Sequence, residues 1–485
     1  MIMNTTTGLH ESGHSGRMKS ESIISSLIEY SLSGVARNII LSYFESITIG
    51  KLLVADVQNG CTFVYPSDAS EVVKPSAKIT VKNATFWIRL LLSKDLGFSE
   101  AFIFGDIDVD DLTEVFKVFL LNRRNFDETP YIPSKVHSIL SYAINTRFMQ
   151  NITNTRSLNT IAYEDSSGFF QTFLSKDMSH SCGIYQSAYA DKELAFSFIG
   201  SDNKKQHKHR LNKMGSFLAN GDAVNDGDDL HNAQLRKMRT IIRKSNILPN
   251  MRLLEIGWGG SFAIEMCSQY PSLVIDTLTV SITQKELAEE ATRIAGYTHR
   301  IRIHLCDYKN MPLSWKSQFD RVISIEMIES ISTEQLPGYF ECIDWALNDH
   351  GIGIIQSKTI PEARYKDHVD KVDFIRKYTG EMLPSLTSIF NALHDGTKGA
   401  LIIDNIMQIG PHYARTFRDW KKAFLLNFDQ NIKHQLDSLT DNEVESFKRK
   451  WIYYFTYCEA GFETRTFGNH IITMTRESNN DMINV

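Results

Sequence analysis

The stretch that decides the fold is Arg252-Leu-Leu-Glu-Ile-Gly-Trp-Gly-Gly260. Its apolar residues are typical of a buried parallel strand, and the glycines that follow allow the backbone to turn tightly and approach a ligand. Residues 261–270 then have the pattern of a helix, and in nucleotide-binding α/β folds the first amides of such a helix face the ligand. Because short glycine motifs have little specificity, a plain turn without a ligand is the alternative interpretation.

Strands and helices alternate regularly from residue 252 onward. The pattern predicts strands at 252–257, 273–280, 300–307, 319–327 and 351–359, with helices at 261–270, 283–295 and 333–347. Alternation of this kind predicts a parallel sheet with helices on both faces.

The regularity breaks at Pro361. Residues 360–400 have mixed character, and we expect them to form a substrate lid above the carboxyl ends of the strands. The pattern after them predicts a strand at 400–409 and long helices near 412–436 and 442–460. A last segment, 464–475, is expected to close the sheet as an antiparallel edge strand. Together these elements form a predicted domain over residues 251–478.

The part of the chain before residue 146 predicts a separate, smaller domain. Residues 21–47 and 85–122 have helical spacing, and short alternating runs between 46 and 80 predict a small antiparallel sheet. We therefore expect an α+β domain over 21–145. The first twenty residues are polar and have no apolar core, which predicts a disordered tail and not a secretory signal or a membrane anchor.

Composition limits the classes of function. The 485 residues include 52 basic and 57 acidic side chains, and a net charge of −5 gives no general attraction to nucleic acid. Six scattered cysteines without metal-binding spacing predict reduced thiols and no metal site. No apolar stretch is long enough to span a bilayer. These features predict a cytoplasmic protein, with peripheral membrane association as a hypothesis.

Residues 146–250 predict a linker followed by helices that contribute to the cofactor site and the lid. The run at 203–213 is rich in Lys, His and Arg. A solvated surface is one interpretation; the other is attraction to an anionic lipid surface, where each basic residue contributes on the order of 1 kcal/mol. An amphipathic helix from Asp229 to Ser245 leads into the glycine strand.

Several ordered blocks resemble the motifs of one enzyme family. They are Asp177-Met-Ser-His-Ser-Cys-Gly183, Asp229-Leu-His-Asn-Ala-Gln-Leu-Arg-Lys-Met238, Leu254-Glu-Ile-Gly-Trp-Gly-Gly260, Leu278-Thr-Val-Ser-Ile-Thr-Gln284, Phe319-Asp-Arg-Val-Ile-Ser-Ile-Glu-Met-Ile-Glu329, Ile409-Gly-Pro-His-Tyr-Ala-Arg-Thr-Phe-Arg-Asp-Trp420 and Arg449-Lys-Trp-Ile-Tyr-Tyr-Phe-Thr-Tyr-Cys-Glu-Ala-Gly-Phe462. From about Gly50 to Arg476 the chain resembles the cyclopropane-fatty-acyl-phospholipid synthases and their relatives that modify mycolic acids or methylate sphingolipids.

That resemblance implies a fold and an activity. The fold is α/β: a seven-stranded, Rossmann-like class I methyltransferase domain with a helical substrate lid, preceded by the smaller α+β domain. The activity is methyl transfer from S-adenosylmethionine to a carbon–carbon double bond of an unsaturated lipid acyl chain, forming a cyclopropane. The implied partner is an unsaturated phospholipid or another lipid acceptor. Contact with a membrane surface and a homodimer are further hypotheses.

The resemblance also assigns residues to the methyl donor. The amino-acid end is assigned to Gly257 and Gly259 with Glu255, the ribose to the end of the second strand and the adenine to the end of the third. The assigned residues are Ser181, Glu255, Gly257, Gly259, Thr279, Val280, Gln284, Asp307 and Tyr308. For each of them a strand-end cap or an ordinary core position is the alternative interpretation.

In the family a bicarbonate ion beside the reacting carbon removes a proton before the ring closes. The resemblance places this ion against Cys182, Glu329 and Tyr413, with Gln356 where some members have a histidine. The amide of Cys182 suits an anion as well as its thiol does, and a neutral tyrosine hydroxyl is a suitable donor. For Cys182 alone, a small buried core residue is the alternative.

The chain departs from the family at the glycine loop, which is two residues shorter than the usual Glu-x-Gly-Cys-Gly-Trp-Gly-Gly. Ser330 also replaces the histidine that usually follows the catalytic glutamate. Two further hypotheses therefore remain. One is a methyltransferase for another unsaturated acceptor, such as a sphingolipid or a polyketide-type metabolite. The other is a non-catalytic relative that has lost cofactor binding.

Overall fold

The structure is a computed structural model that describes residues 32–68, 73–128, 167–186, 228–257, 260–477 and 479. The chain divides into two compact units, Met1–Thr153 and Asn154–Val485. The predicted tail at 1–20, the basic run at 203–213 and Gly259 lie outside the described residues. No helix in the described part of the chain is long and apolar enough to cross a membrane.

The N-terminal unit contains a four-stranded sheet in the order β2-β1-β3-β4. Its strands are β1 (Lys51–Asp56), β2 (Cys61–Tyr65), β3 (Ser76–Val81) and β4 (Ile107–Val109). Its helices are α1 (residues 32–44), α2 (Thr85–Ile103), α3 (Leu112–Leu121) and α4 (Arg123–Glu128). Alternate residues of β1 are buried, so the sheet has one face in the core.

The prediction that this small sheet is antiparallel was wrong for its central pair. β1 and β3 run parallel, while the β1–β2 and β3–β4 pairs are antiparallel. The chain after β2 returns to the starting end of β1, where the amide of Lys51 donates to the carbonyl of Pro75 at 2.8 Å. Strand spacing along the sequence does not reveal such a return, because it carries no information about direction.

The C-terminal unit contains a seven-stranded sheet in the order β10-β11-β9-β8-β5-β6-β7. Its strands are β5 (Arg252–Ile256), β6 (Val274–Thr279), β7 (Ile301–Leu305), β8 (Phe319–Ile325), β9 (Leu347–Thr359), β10 (Leu401–Gln408) and β11 (Gly468–Arg476). Strands β5 to β9 are mutually parallel, and β11 is antiparallel to both β9 and β10. This is the predicted α/β sheet.

The last strand is antiparallel as predicted, but it is not the edge. β11 lies between β9 and β10, and β10 forms the edge of the sheet. The burial of the two strands agrees with this order, because nearly every residue of β11 is buried whereas β10 is mostly half-buried or exposed.

Helices cover the sheet and form the connections between its strands. They are α5 (Ser167–Gln171), α6 (Leu230–Lys244), α7 (Ser261–Gln269), α8 (Ile282–Ala295), α9 (Leu336–Ala346), α10 (Glu362–Asp370), α11 (Phe374–Tyr378), α12 (Leu386–Thr397), α13 (Gly410–Asn427) and α14 (Asp441–Glu463). Side chains fix several starts: Asp229 accepts from the amide of Asn232 at α6, and Ser281 accepts from that of Gln284 at α8.

The segment between β9 and β10 carries three helices, α10 to α12. It packs against the carboxyl ends of the central strands, where the amide of Met382 donates to the carbonyl of Glu329 at 2.8 Å. Nζ of Lys358, at the end of β9, donates to Glu381 at 2.6 Å. The segment predicted as a lid therefore contacts the edge of the sheet at which ligands of open α/β folds bind.

Candidate active site

The turn after β5 forms one wall of the candidate site. Glu255 is buried near the end of the strand. Gly257 has φ +153, and its amide donates to the carbonyl of Leu278 on β6 at 3.1 Å. A Cβ atom at Gly257 would meet no atom of the described residues within 4 Å, so the backbone there faces open space in that part of the chain. This is the close approach to a ligand that a glycine permits.

Ser181 is held in place by two residues of α6. Nε2 of Gln234 donates to its carbonyl at 2.7 Å, and Nζ of Lys237 donates to its hydroxyl at 3.0 Å. Lys237 is only 1% exposed. Burial lowers the pKa of Lys237, and the negative charges of Asp177 and Glu326 act in the opposite direction.

Sequence reasoning did not single out Gln234 and Lys237. They lie on the buried face of α6 together with Ala233, Met238 and Ile241. A lysine and a glutamine at helical spacing within an apolar stripe are uncommon, because charged and amide side chains are rarely buried without partners. That pattern is the signal in the sequence that identifies them.

The end of β6 carries the residues predicted to surround a ribose. Oγ1 of Thr279 donates to Oε1 of Gln284 at 2.7 Å, so the structure brings these two side chains together. Oγ1 of Thr279 also accepts from the amide of Ser281 at 3.2 Å. Val280 follows Thr279 in the chain, and its side chain is 76% exposed.

The end of β7 carries the residues predicted to meet an adenine. The carboxylate of Asp307 accepts from the amide of Lys309 at 2.9 Å and caps a short turn. The ring of Tyr308 meets that of Tyr339 edge-on, with centroids 5.0 Å apart. Burial, followed by the charge of Asp307, raises the pKa of Tyr308 to about 12.

Three residues predicted for the anion site converge on Glu326, which was not predicted. The amide of Cys182 donates to its Oε1 at 3.0 Å, and Nε2 of Gln356 donates to the same oxygen at 2.7 Å. The hydroxyl of Tyr413 donates to Oε2 at 2.6 Å. Nδ2 of Asn469, also missed from the sequence, donates to Oε1 at 2.6 Å. The predicted cluster therefore surrounds a carboxylate of the chain itself.

The thiol of Cys182 and the phenol of Tyr413 are both buried and protonated. The thiol donates to the carbonyls of Gly183 at 3.4 Å and Ile409 at 3.6 Å, so the backbone amide is the group that faces Glu326. Burial, reinforced by the charge of Glu326, raises the pKa of both side chains. Each is thus a neutral hydrogen-bond donor across the physiological pH range.

Glu329, the carboxylate predicted for the anion site, lies one short helical turn beyond Glu326. Its Oε1 accepts from the amide of Lys358 at 2.5 Å and from Oγ of Ser357 at 3.4 Å. Its Oε2 has no hydrogen-bond partner among the described residues. Burial raises the pKa of Glu329 to about 8; the charge of Lys358 opposes this, and that of Glu326 adds to it.

Comparison with known proteins identifies the family of this chain. A profile described as mycolic acid cyclopropane synthetase matches residues 150–471, well over half of the sequence. The chain belongs to the mycolic acid cyclopropane synthetase family. It is 27% identical to the tuberculostearic acid methyltransferase of Mycobacterium tuberculosis over 388 aligned residues. The alignment covers 79% of each of the two chains. It is 26% identical to the cyclopropane-fatty-acyl-phospholipid synthase of Escherichia coli K12 over 395 aligned residues. This alignment covers 80% of the present chain and 85% of the relative.

A solved structure agrees on the fold of this family member. Coclaurine N-methyltransferase, bound to N-methylheliamine and SAH, matches with a TM-score of 0.52 over 78% of this chain and 98% of its own. At 16% identity this likeness establishes the fold alone. The predicted family and the predicted class I methyltransferase fold are both confirmed, and the chain is an S-adenosylmethionine-dependent methyltransferase of the mycolic acid cyclopropane synthetase family.

The site of this synthetase-family member fits the methyl donor at three successive strand ends. The open space beside Gly257 lies at the end of β5, and the polar pair Thr279 and Gln284 lies at the end of the neighbouring strand β6. The half-buried Tyr308 at the end of β7 offers an aromatic face, which suits a purine ring. A glycine turn, polar groups and an aromatic face are the features that such a ligand needs.

We expect Glu329→Gln to change how stability depends on pH. Between the ordinary glutamate pKa of 4.5 and about 8, the unfolded chain has lost this proton while the folded chain retains it. Wild-type stability therefore falls as pH rises through this window, with a slope of up to about 1.4 kcal/mol per pH unit. The glutamine variant lacks that loss, so its stability relative to wild type rises with pH. Urea unfolding at a series of pH values measures it.

The exposed Glu445→Gln is the matched control for that experiment. It removes one carboxylate without touching the buried cluster, so its pH profile should parallel that of wild type. Parallel profiles for Glu329→Gln and wild type would show that Glu329 is ionised in the folded protein.

Proposed function

We propose that this protein transfers a methyl group from S-adenosylmethionine to a cis double bond of an unsaturated lipid acyl chain and closes a cyclopropane. The observation that carries the proposal is the polar cluster around Glu326 at the carboxyl end of β8, one strand from the glycine turn of β5. A proton acceptor beside the methyl donor is what ring closure requires. The names of the two relatives supply the substrate class.

The residues at the strand ends have proposed roles toward the donor, which supplies an electrophilic methyl group. Gly257 and Gly259 allow close approach of the backbone to the amino-acid end, and Ser181 and Glu255 hydrogen-bond to it. Thr279, Val280 and Gln284 surround the ribose. Asp307 accepts from the adenine amine while Tyr308 packs on the ring.

Aromatic side chains around the polar cluster suit an apolar acceptor. The ring of Tyr413 stacks on Phe417 with centroids 4.5 Å apart and lies 4.6 Å from that of Phe462. We propose that five further buried aromatic residues line an acyl channel and stabilise positive charge on the lipid: Tyr339, Phe340, Tyr453, Tyr454 and Phe455.

Bicarbonate, the ion implied by the family, does not fit the residues as they are arranged. The amide of Cys182, the amide group of Gln356 and the hydroxyl of Tyr413 all donate to Glu326. A separate anion would have to displace that carboxylate. We therefore derive no step through bicarbonate.

A labelled donor tests the proposed reaction. The purified protein is incubated with S-adenosylmethionine that carries a trideuterated methyl group and with vesicles of a cis-monounsaturated phospholipid. Ring closure keeps two of the three deuterium atoms and gives NMR signals of a cyclopropane. A methyl branch that keeps a double bond within the chain retains all three, and an exocyclic methylene keeps two but has no ring signals. Either of these products would overturn cyclopropane formation and retain methyl transfer.

Titration calorimetry separates the remaining hypotheses. We expect micromolar binding of S-adenosylmethionine and of its demethylated product, because the glycine turn faces open space despite the short loop. Binding without any labelled phospholipid would favour another acceptor, such as a sphingolipid or a polyketide-type metabolite. No binding by either ligand would favour the non-catalytic relative. Vesicle sedimentation and light scattering test the proposed membrane contact and homodimer.

A further inference from the structure

We propose that the carboxylate of Glu326 is the built-in anion of this site and the proton acceptor of the reaction, in place of a diffusible bicarbonate. This inference rests on the proposed function for its chemistry. Its structural part, the identity of the group that fills the anion site, stands on geometry alone.

The hydrogen bonds of Glu326 fill Oε1 and, among the described residues, occupy one of the two acceptor positions of Oε2. Oε1 accepts from Cys182, Gln356 and Asn469, and Oε2 accepts from Tyr413, at 2.6 to 3.0 Å. A carboxylate offers about four acceptor positions. The side chain is 2% exposed, so these bonds replace its hydration. The donors come from four distant parts of the chain, and all four bond to this one carboxylate.

A buried cation balances the carboxylate. Nζ of Lys358 lies 3.9 Å from Oε2 of Glu326 and 2.6 Å from Glu381. Donors and a nearby cation are what a site for a free anion would present. In this chain they are arranged around a covalently attached carboxylate, which needs no binding from solution.

The backbone at Glu326 has a conformation that few residues other than glycine adopt. Its φ is +47, in the left-handed region, while its amide donates to the carbonyl of Gln356 at 2.7 Å. A side chain in this conformation costs roughly 1–2 kcal/mol, whereas glycine has no such cost. Strain of this kind persists where the surroundings enforce it, commonly at functional sites. Here the conformation places the carboxylate among its donors.

The proposed step forms two carbon–carbon bonds and one O–H bond, and it breaks the π bond, a carbon–sulfur bond and one C–H bond. The π electrons of the lipid double bond form a bond to the donor methyl carbon, and the electrons of the breaking carbon–sulfur bond remain on sulfur. Positive charge then lies on the other alkene carbon. A carboxylate oxygen of Glu326 takes a proton from the new methyl group, and the electrons of that C–H bond close the ring. A weak base suffices, because a proton beside a carbocation is strongly acidic.

Glu329 is the less suitable acceptor. Its Oε1 faces the amide of Lys358 and the hydroxyl of Ser357, and none of the donors that surround Glu326 reaches it. We assign it a positioning role, because its contacts hold the end of β9, which carries Lys358.

Two variants test the inference with and without lipid. Glu326→Gly removes the carboxylate, relieves the strained φ and leaves the donors in place. Glu326→Gln keeps the volume but removes the basic group. Binding of ¹³C-labelled bicarbonate is measured by NMR, without donor or acceptor. We expect no binding by wild type or the glutamine variant, and binding by the glycine variant at millimolar concentration.

Activity is the second readout, with the labelled donor and CO₂-free buffer. We expect wild-type turnover to be unaffected by removal of bicarbonate and Glu326→Gln to lose at least about 100-fold, the usual contribution of a general base. Added bicarbonate should restore the glycine variant at least about tenfold but not the glutamine variant. Calorimetry with S-adenosylmethionine establishes that both variants retain the donor site.

Lys398→Gly is the matched control, because Lys398 has φ +52 and is exposed at the end of α12. It should neither gain bicarbonate binding nor lose activity. Bicarbonate binding by wild type, or a wild-type rate that falls when bicarbonate is removed, would overturn the inference. If wild type methylates no lipid at all, the proposed function fails, and with it the role as proton acceptor. The difference in bicarbonate binding between wild type and Glu326→Gly then still decides whether Glu326 fills the anion site.

Discussion

The Gly257→Val protein is expected to bind S-adenosylmethionine at least about 100-fold more weakly than wild type, a loss of about 2.7 kcal/mol in binding free energy. Gly257 has φ +153, a conformation that a β-branched residue rarely adopts. Its missing side chain faces open space at the end of β5, the space that we assign to the donor. Valine would fill that space with two methyl groups. Calorimetric titration with S-adenosylmethionine and with its demethylated product measures the loss.

Gly296→Val is the control for the backbone strain in that experiment. Gly296 has φ +78 at the carboxyl end of α8, and a Cβ there also meets none of the atoms that the structure describes within 4 Å. Valine at this position should lower the melting temperature but leave donor affinity unchanged. A Gly257→Val protein with wild-type affinity would contradict the assignment of this turn to the donor.

The parallel core of the sheet was predictable because each of its strands can be recognised from a short local stretch of sequence. Each of β5, β6 and β8 is a short apolar run, and turn or polar residues follow it where the chain leaves the sheet. Since parallel strands end at one edge, the polar residues after β5, β6 and β7 were expected to meet there. The glycine turn was predictable for the same reason, because strand, glycine and helix are adjacent in the sequence.

The identity of the carboxylate at the anion site was not predictable in this way. Glu326 and Glu329 stand three residues apart in the same block, and both follow an apolar strand. What distinguishes them is the left-handed backbone at Glu326, which directs its side chain toward Cys182 and Tyr413. Spacing along the chain does not encode that turn. Asn469 was missed for a related reason, because its strand was expected at the edge of the sheet and lies in its interior.

We expect Lys237→Met to lower the free energy of unfolding by about 3–5 kcal/mol, the usual cost of removing one partner from a buried charge cluster. Lys237 is 1% exposed, and the charges of Asp177, Glu326 and Glu255 all favour its protonated form. Methionine fills a similar volume but removes a buried positive charge from the neighbourhood of these acidic groups. Burial raises the pKa of Asp177 and the charge of Lys237 opposes this, so that pKa should rise further in the variant, and the destabilisation should be larger at pH 8 than at pH 5. Urea unfolding at both pH values measures it.

Lys244→Met on the same helix is the control for the loss of a lysine. Lys244 is half-buried and donates to Asn405 at 2.6 Å, away from the acidic cluster, so its removal should cost less than about 1 kcal/mol. Lys237 also holds the hydroxyl of Ser181, so Lys237→Met should weaken donor binding even where the protein remains folded. Equal stability of the two variants would mean that the fold does not depend on the buried charge of Lys237. In that case the cluster would need no cation, and Lys237 would act only through Ser181.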